Sequence, residues 1–298
     1  MKNLIVVTGG AGFIGSNLIE KLLKVDNKFK IISIDNYSTG TKKNHIKNQR
    51  VRYIKSSTEK IQKILNLEKK SIHSLFHFGE FSRIYQSFSK FEDCIQSNSI
   101  GSKAVFNFCL QNNIRLIYSA TSASLGNYGK DKNLSPYSFT KAKNLELLEN
   151  LKKWFNFKFE VIYFYNVYGK RQIEKGEMST VIGVFERQFN TGRPLTVVKP
   201  GTQSRQFTHI DDTIDVCIEA WKNRRCKHYS VYAKEIYSII EVAKLFDSKI
   251  KFLPKRRGER FASALTKMNL SNKIYRRIGK KSLKNYIHNV INAKKNNV

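Results

Sequence analysis

The sequence predicts an α/β protein built on a doubly wound parallel sheet, and three observations carry that expectation. Short apolar runs alternate with amphipathic stretches through the first half of the chain. A glycine-rich turn, TGGAGFIG from Thr8 to Gly15, follows the first apolar run and opens the first amphipathic stretch. At 298 residues and 41% hydrophobic content, the chain can bury a full core without disulfide or metal staples.

The expected strands are Leu4–Val7, Ile31–Asp35, Val51–Lys55, Ile72–Phe78, Ile114–Ser119 and Phe159–Tyr165. Between them lie helix-like segments at Ile14–Val25, Ile61–Glu68, Phe91–Gln111 and Ser138–Phe155. Strand and helix alternating at these spacings build βαβ units, with helices on both faces of the sheet. Beyond Tyr168 the alternation loosens. A helix near Thr180–Asn190, a strand near Leu195–Val198 and a helix near Asp212–Asn223 are followed by a strand near Tyr229–Tyr232. Helices near Ser238–Phe246 and Leu283–Ala293 complete the chain. The loop Tyr168–Glu177 marks the boundary expected between residues 1–168, which bind the cofactor, and a smaller α/β substrate-binding part, residues 169–298. Some segments of the second part are expected to return to the first. Ligands on such sheets bind at the carboxyl ends of the strands.

Composition narrows the function classes. The four cysteines, Cys94, Cys109, Cys217 and Cys226, form no CxxC pair, and no histidine cluster completes a metal site. No metal is expected, and scattered thiols suit a reducing compartment. No stretch approaches the ~20 apolar residues of a membrane span. The opening MKNLIVV is cut short by TGGAG, which argues against a signal peptide and for the cytoplasm. The net charge of +31 leaves two readings, a solvated basic surface or weak attraction to polyanions. Lysines run along the whole length, although KKNHIKNQR, PKRRGER and the tail are locally dense. Spread charge favours the solvated surface, with nucleic-acid contact weak and nonspecific.

The turn Thr8–Gly15 fits a Rossmann-like sheet. Gly10, Gly12 and Gly15 satisfy GxGxxG, and Gly9, Gly12 and Gly15 satisfy GxxGxxG. Glycine lets a pyrophosphate approach backbone amides, and the helix that begins at Phe13 and Ile14 attracts its charge. Asp35 stands at the end of the second strand, followed by Asn36, with no arginine beside it. A carboxylate there accepts hydrogen bonds from the adenosine ribose and repels the extra phosphate of NADP. NAD is the expected cofactor.

Tyr137 and Lys141 occur as YSFTK just after Ser135-Pro136, a helix start with proline in the first turn. Four residues apart on a helix, they share one face. A free phenol ionises near ~10, and lowering it by about three units takes ~4 kcal/mol. The Lys141 ammonium and a positively charged nicotinamide ring could supply that.

Several motifs follow one order: TGGAGFIGSNL, Asp35-Asn36, His77-x-Gly79, Asn98-x-x-Gly101, YSFTK, NVYG at Asn166–Gly169 and RQFTHIDD at Arg205–Asp212. Over about residues 1–260 this order resembles the extended short-chain dehydrogenases acting on nucleotide sugars, the NAD-dependent epimerase/dehydratase family. The resemblance implies that Thr121 is the hydroxyl partner of Tyr137 at the sugar, so Thr121, Tyr137 and Lys141 form the catalytic set. It makes Asn98 the family's structural asparagine on the cofactor side. Asn166, Arg205 and Arg256 would hold the nucleotide diphosphate, with Arg83 also on the substrate side. An arginine fork suits phosphate independently of any family. By the same resemblance Ser263 stands beside the hexose 2-position, where a small side chain leaves room for an N-acetyl group. The helices around Phe91–Gln111 and Ser138–Phe155 correspond to those through which the family dimerises.

The chain also departs from the family's pattern. Lys55-Ser56-Ser57 stands where a Gly-Asp is usual, Lys170 replaces a proline and Gln206 an aspartate. Glu80 stands where a small residue is usual, and either lies near the cofactor or points to solvent. Family 4,6-dehydratases carry Thr-Asp-Glu at the catalytic threonine, whereas this chain reads Thr121-Ser122-Ala123. Elimination needs a base beside the ketone, and alanine cannot be one. The expected activity is therefore epimerisation of a nucleotide sugar, at carbon 4 of a UDP-hexose or UDP-N-acetylhexosamine. A 4,6-dehydratase or another oxidoreductase of the family is the alternative, with Glu80 as its base, and a non-catalytic RNA-binding relative is the second.

Overall fold

The computed structural model of the chain describes residues 2–122, 132–255 and 274–296. Six strands of the first half are β1 (Leu4–Thr8), β2 (Lys30–Asp35), β3 (Val51–Lys55), β4 (Ile72–His77), β5 (Arg115–Thr121) and β6 (Phe159–Phe164). Two later strands, His228–Tyr232 and Ile274–Ile278, pair beyond β6. The eight form one sheet, in the order 274–278, 228–232, β6, β5, β4, β1, β2, β3. Every pairing in it is parallel. Strands covered on both faces read as near-continuous apolar runs, and all five residues of β1 are buried.

The chain lays β2 and β3 on one side of β1, then crosses to lay β4, β5 and β6 on the other. Loops leaving β1 and β4 therefore diverge and open a crevice at the carboxyl end of the sheet. The register fixes what faces it. Thr8 is level with Ile34 of β2 and His77 of β4, and Thr121 with Phe164 of β6. The glycine turn, Asp35 and the segment after His77 are thus brought side by side.

The helix Phe13–Val25 returns across one face of the sheet, and Ile210–Asn223 packs beside it with Trp221 in the shared core. Ser102–Gln111 and Pro136–Phe155 cover the other face, around Phe106, Leu116 and Val161. A third core, around Phe185, Phe246 and Leu283, belongs to the C-terminal part.

Two expectations need correction. Phe91–Gln111 is not one α-helix. It runs as Phe91–Ile95, a wide π-helical turn Gln96–Gly101, and Ser102–Gln111. The stretch Ile61–Glu68 is helical only over Ile61–Ile64. Besides four two-residue strands, two longer ones also went unforeseen. Ile250–Leu253 pairs with Leu195–Val198 in a small separate sheet, and Ile274–Ile278 closes one edge of the main one. Their sequences, IKFL and IYRRI, carry cations that break the apolar run expected of a buried strand.

Candidate active site

A cavity of about 990 Å³ runs along the crevice, lined at one end by the glycine turn and at the other by residues around Arg205 and Phe207. Gly9 takes φ +72°, and a Cβ there would lie 2.8 Å from the backbone of Phe78 and Gly79. A Cβ on Gly15 would lie 2.2 Å from the Gly9 carbonyl oxygen. No side chain caps the helix at Gly12, so its first amides face the cavity wall formed by Gly12, Phe13, Ile14 and Gly15. This backbone cradle fits a pyrophosphate.

Asp35 lines the same end. Its carboxylate accepts the Ala11 amide at 2.9 Å and the Tyr37 amide at 2.7 Å. Burial pushes its pKa above the ordinary aspartate value, while those amides pull it back. Asn36 is exposed on the cavity rim. Where the family's Gly-Asp was missing, Ser56, Ser57 and Glu59 line the wall, and Ser57 Oγ donates to Glu59 at 2.9 Å. Glu59 was not foreseen, because it lies two residues beyond the departed motif.

At the far end of β5 stands Thr121, hydrogen-bonded to the Tyr137 phenol. Ser135 caps the helix Pro136–Phe155 by accepting the Ser138 amide at 3.1 Å, which sets the rotation of its first turn. That turn buries Tyr137 and Lys141 together against the cavity. Burial pushes the Tyr137 phenol up to about 12, opposed by the Thr121 hydrogen bond and the Arg83 guanidinium. Burial also pushes Lys141 down, and its contact with Glu80 opposes that.

Glu80 points inward. Its carboxylate is paired with the Lys141 ammonium, which also donates to the Ser119 carbonyl at 2.6 Å. Its other oxygen accepts Ser102 Oγ at 2.8 Å, the Tyr118 hydroxyl at 3.0 Å and Asn144 Nδ2 at 3.2 Å. Asn98 lies in the π-helical turn and does not line the cavity. Its amide accepts from Phe81 N–H at 2.7 Å and donates to Phe81 C=O at 3.1 Å, which fixes the segment carrying Glu80 and Arg83.

Arg83 lines the cavity and donates to Ser82 and, through Nε and Nη2, to the Met178 carbonyl. Asn166 and Arg205 line it too. Asn166 Nδ2 donates to the Gln206 carbonyl at 3.0 Å, joining the two loops. Gln206 itself is buried and donates to the Ala233 carbonyl, while Lys170 reaches Glu20 on the surface. Arg256 and Ser263, like Ala123, lie outside the described residues. Gln203 was not anticipated. It is buried on the cavity wall with its Oε1 unpartnered among the described residues, and nothing in its local sequence announced that. Among the described residues no cluster of three or more histidine, cysteine, aspartate or glutamate side chains could hold a metal ion.

Known proteins share this architecture. A UDP-N-acetylglucosamine 4-epimerase from Methanobrevibacter ruminantium is 24% identical, with a TM-score of 0.84 and 100% of both chains covered. A UDP-glucose 4-epimerase from Thermotoga maritima is 22% identical, with a TM-score of 0.83 over 99% of each chain. A dTDP-glucose 4,6-dehydratase from Streptomyces venezuelae is 18% identical, with a TM-score of 0.80 over 90% of this chain and 93% of its own. The model of the NAD dependent epimerase/dehydratase family matches residues 5–233. With the glycine cradle, Asp35 and the Thr121–Tyr137–Lys141 cluster inside that span, the chain belongs to the NAD-dependent epimerase/dehydratase family, and NAD is its cofactor.

Proposed function

We propose that the protein is a nucleotide-sugar epimerase that inverts the hydroxyl at carbon 4 of a UDP-hexose or UDP-N-acetylhexosamine through a keto intermediate. The observation that carries the reading is the engagement of Glu80. With Lys141, Ser102, Tyr118 and Asn144 all donating to it, its carboxylate has no part in removing the proton beside a ketone. That removes the base which the dehydratase alternative would need at this position.

When bound, NAD would supply a reversible hydride acceptor beside the sugar. Tyr137 takes the proton of the sugar 4-hydroxyl and gives it back, and Thr121 orients that hydroxyl through its bond to the phenol. Lys141, held by Ser119 and Glu80, presents its remaining hydrogen toward the cavity. Asn166 and Arg205 hold the diphosphate with Arg256, Arg83 steadies the sugar end, and Ser263 leaves room at the hexose 2-position. Solved UDP-sugar 4-epimerases share the fold, which supports the nucleotide class. We also place the protein in the cytoplasm as a homodimer. Cys94, Cys109 and Cys217 are free and buried, as suits a reducing compartment, and no described helix is long and apolar enough to cross a membrane.

The test is to incubate the protein with UDP-glucose and with UDP-N-acetylglucosamine and follow the 4-epimer by NMR. Tyr137→Phe should keep its NAD and lose ~10²-fold or more in rate. No epimer from either sugar, or a variant retaining more than about a tenth of the rate, overturns the reading.

A further inference from the structure

A buried carboxylate beside a catalytic lysine changes what that lysine can do, and the hydrogen-bond directions here are legible. Thr8 Oγ1 accepts the amides of Phe78 and Gly79, each at 3.1 Å. Its own hydrogen therefore points to His77 Nδ1, 2.7 Å away. Burial holds His77 down at about 4, so the ring is neutral and its hydrogen sits on Nε2. Nε2 then donates to Ser102 Oγ at 3.0 Å, and Ser102 donates onward to Glu80. The chain of donors from the glycine cradle ends on Glu80, where Tyr118, Asn144 and Lys141 also converge. Its side chain is 2% exposed and that of Lys141 is 4%.

We infer that Glu80 is a positioning residue that fixes the Lys141 ammonium and cancels its charge, so that Glu80 raises the pH at which Tyr137 becomes competent to take a proton. The inference rests on the reading of Tyr137 as the base. Around the phenol, the groups that bear on its charge come from every packed element. Glu80 and Arg83 lie on the segment after β4, Cys94 on the helix Phe91–Ile95, Thr121 on β5 and Lys141 on the phenol's own helix. Glu80 and Cys94 oppose the phenolate, while Arg83 and the Thr121 hydroxyl favour it. With its ammonium matched by a carboxylate, Lys141 presents little net charge to Tyr137. Among the described residues Arg83 pairs with no carboxylate and donates to Ser82 and to the Met178 carbonyl. Among the described residues its guanidinium is a cation that favours the phenolate.

The experiment compares pH–rate profiles of the NAD-loaded wild type, Glu80→Gln and Glu80→Ala. The acid limb of kcat/KM should move down by about one pH unit or more in both variants, because one opposing charge is gone. A limb that stays in place while kcat falls would show a structural role alone, and a limb that moves up would invert the assignment. Either result overturns the inference. Should the variants fold poorly, the wild type decides. Its tyrosines are labelled with ¹³C at Cζ, and the Tyr137 signal is assigned by its loss in Tyr137→Phe. In the NAD-loaded wild type this signal should stay that of the phenol at neutral pH, and a phenolate signal there overturns the inference. That titration reads Tyr137 whatever reaction the enzyme runs, so it fails or succeeds separately from the epimerase reading.

Discussion

His77 shows how much one side chain can hold in this sheet. It ends β4 fully buried, between Thr8 and Ser102, and its ring remains neutral. Its folded value of about 4 lies below the ordinary 6.5. For a histidine so depressed, the unfolded chain binds the extra proton between those two values. Its contribution to stability is therefore complete above the unfolded value and is lost as pH falls toward the folded one. At 1.36 kcal/mol per unit, the loss attributable to His77 is up to ~3 kcal/mol. Urea denaturation at pH 7 and pH 5 should show wild type losing stability on acidification, and His77→Asn losing distinctly less. Equal losses would mean that His77 titrates normally. Sequence alone showed His77 as part of a motif, and Glu80 as a departure from one. It could not show Glu80 pointing inward, because the groups that turn it inward, Ser102, Tyr118, Lys141 and Asn144, sit on three other elements. A lone carboxylate after a strand reads as solvated until its distant partners are known.

Elements whose logic is local were the legible ones. The turn at Gly9–Gly15 and the cap at Ser135 are decided within a few residues, and the helix start they announce is where the structure puts it. The π-helical turn Gln96–Gly101 was not legible, since its apolar spacing continues that of its neighbours and the extra residue shows only in the backbone. Such insertions concentrate at functional sites. Here the turn delivers Asn98 to both backbone groups of Phe81, with its own carbonyl accepting Asn144 Nδ2 at 2.6 Å. Asn98→Ala takes the donor from the Phe81 carbonyl and leaves the Phe81 amide only its longer bond to Ser97 Oγ at 3.2 Å, and should lower folding stability by about 1–3 kcal/mol. Because the same segment carries Glu80 and Arg83, kcat should fall more than NAD affinity. Asn98→Asp restores the acceptor for the Phe81 amide but not the donor, and should recover part of the stability. If Asn98→Ala matches wild type in urea and in turnover, the element is not braced by this side chain. The edge strand Ile274–Ile278 was hidden for another reason. With Arg276 and Arg277 exposed at the sheet's margin, it needs no apolar face toward solvent, and charged edges also discourage further pairing.

At the scale of the whole molecule, charge and apolar surface oppose each other. Each chain carries +31, and two copies brought together repel. Yet the helices over β4 and β5 leave several large apolar side chains exposed among their charged ones. Phe91, Ile100 and Phe139 are each close to half exposed, at 49%, 48% and 45%. Phe139 lies between Tyr137 and Lys141 in sequence, about 200° around the helix from Tyr137, so the catalytic pair faces the cavity while Phe139 faces out. Covering such side chains contributes up to ~1.5–3 kcal/mol each when complete, and about half that from a half-exposed start. The repulsion depends on salt, with a screening length of ~8 Å at physiological ionic strength and ~30 Å at 0.01 M. A homodimer should therefore form at physiological salt and weaken as salt is removed, the reverse of an assembly held by ion pairs. Light scattering across a salt series measures this directly. Ile100→Glu should leave a monomer at every salt concentration while its NAD binding persists, because Ile100 does not line the cavity that holds the cradle at Gly9–Gly15. A wild type that is monomeric throughout, or a dimer that tightens as salt falls, would show that these helices do not make the interface.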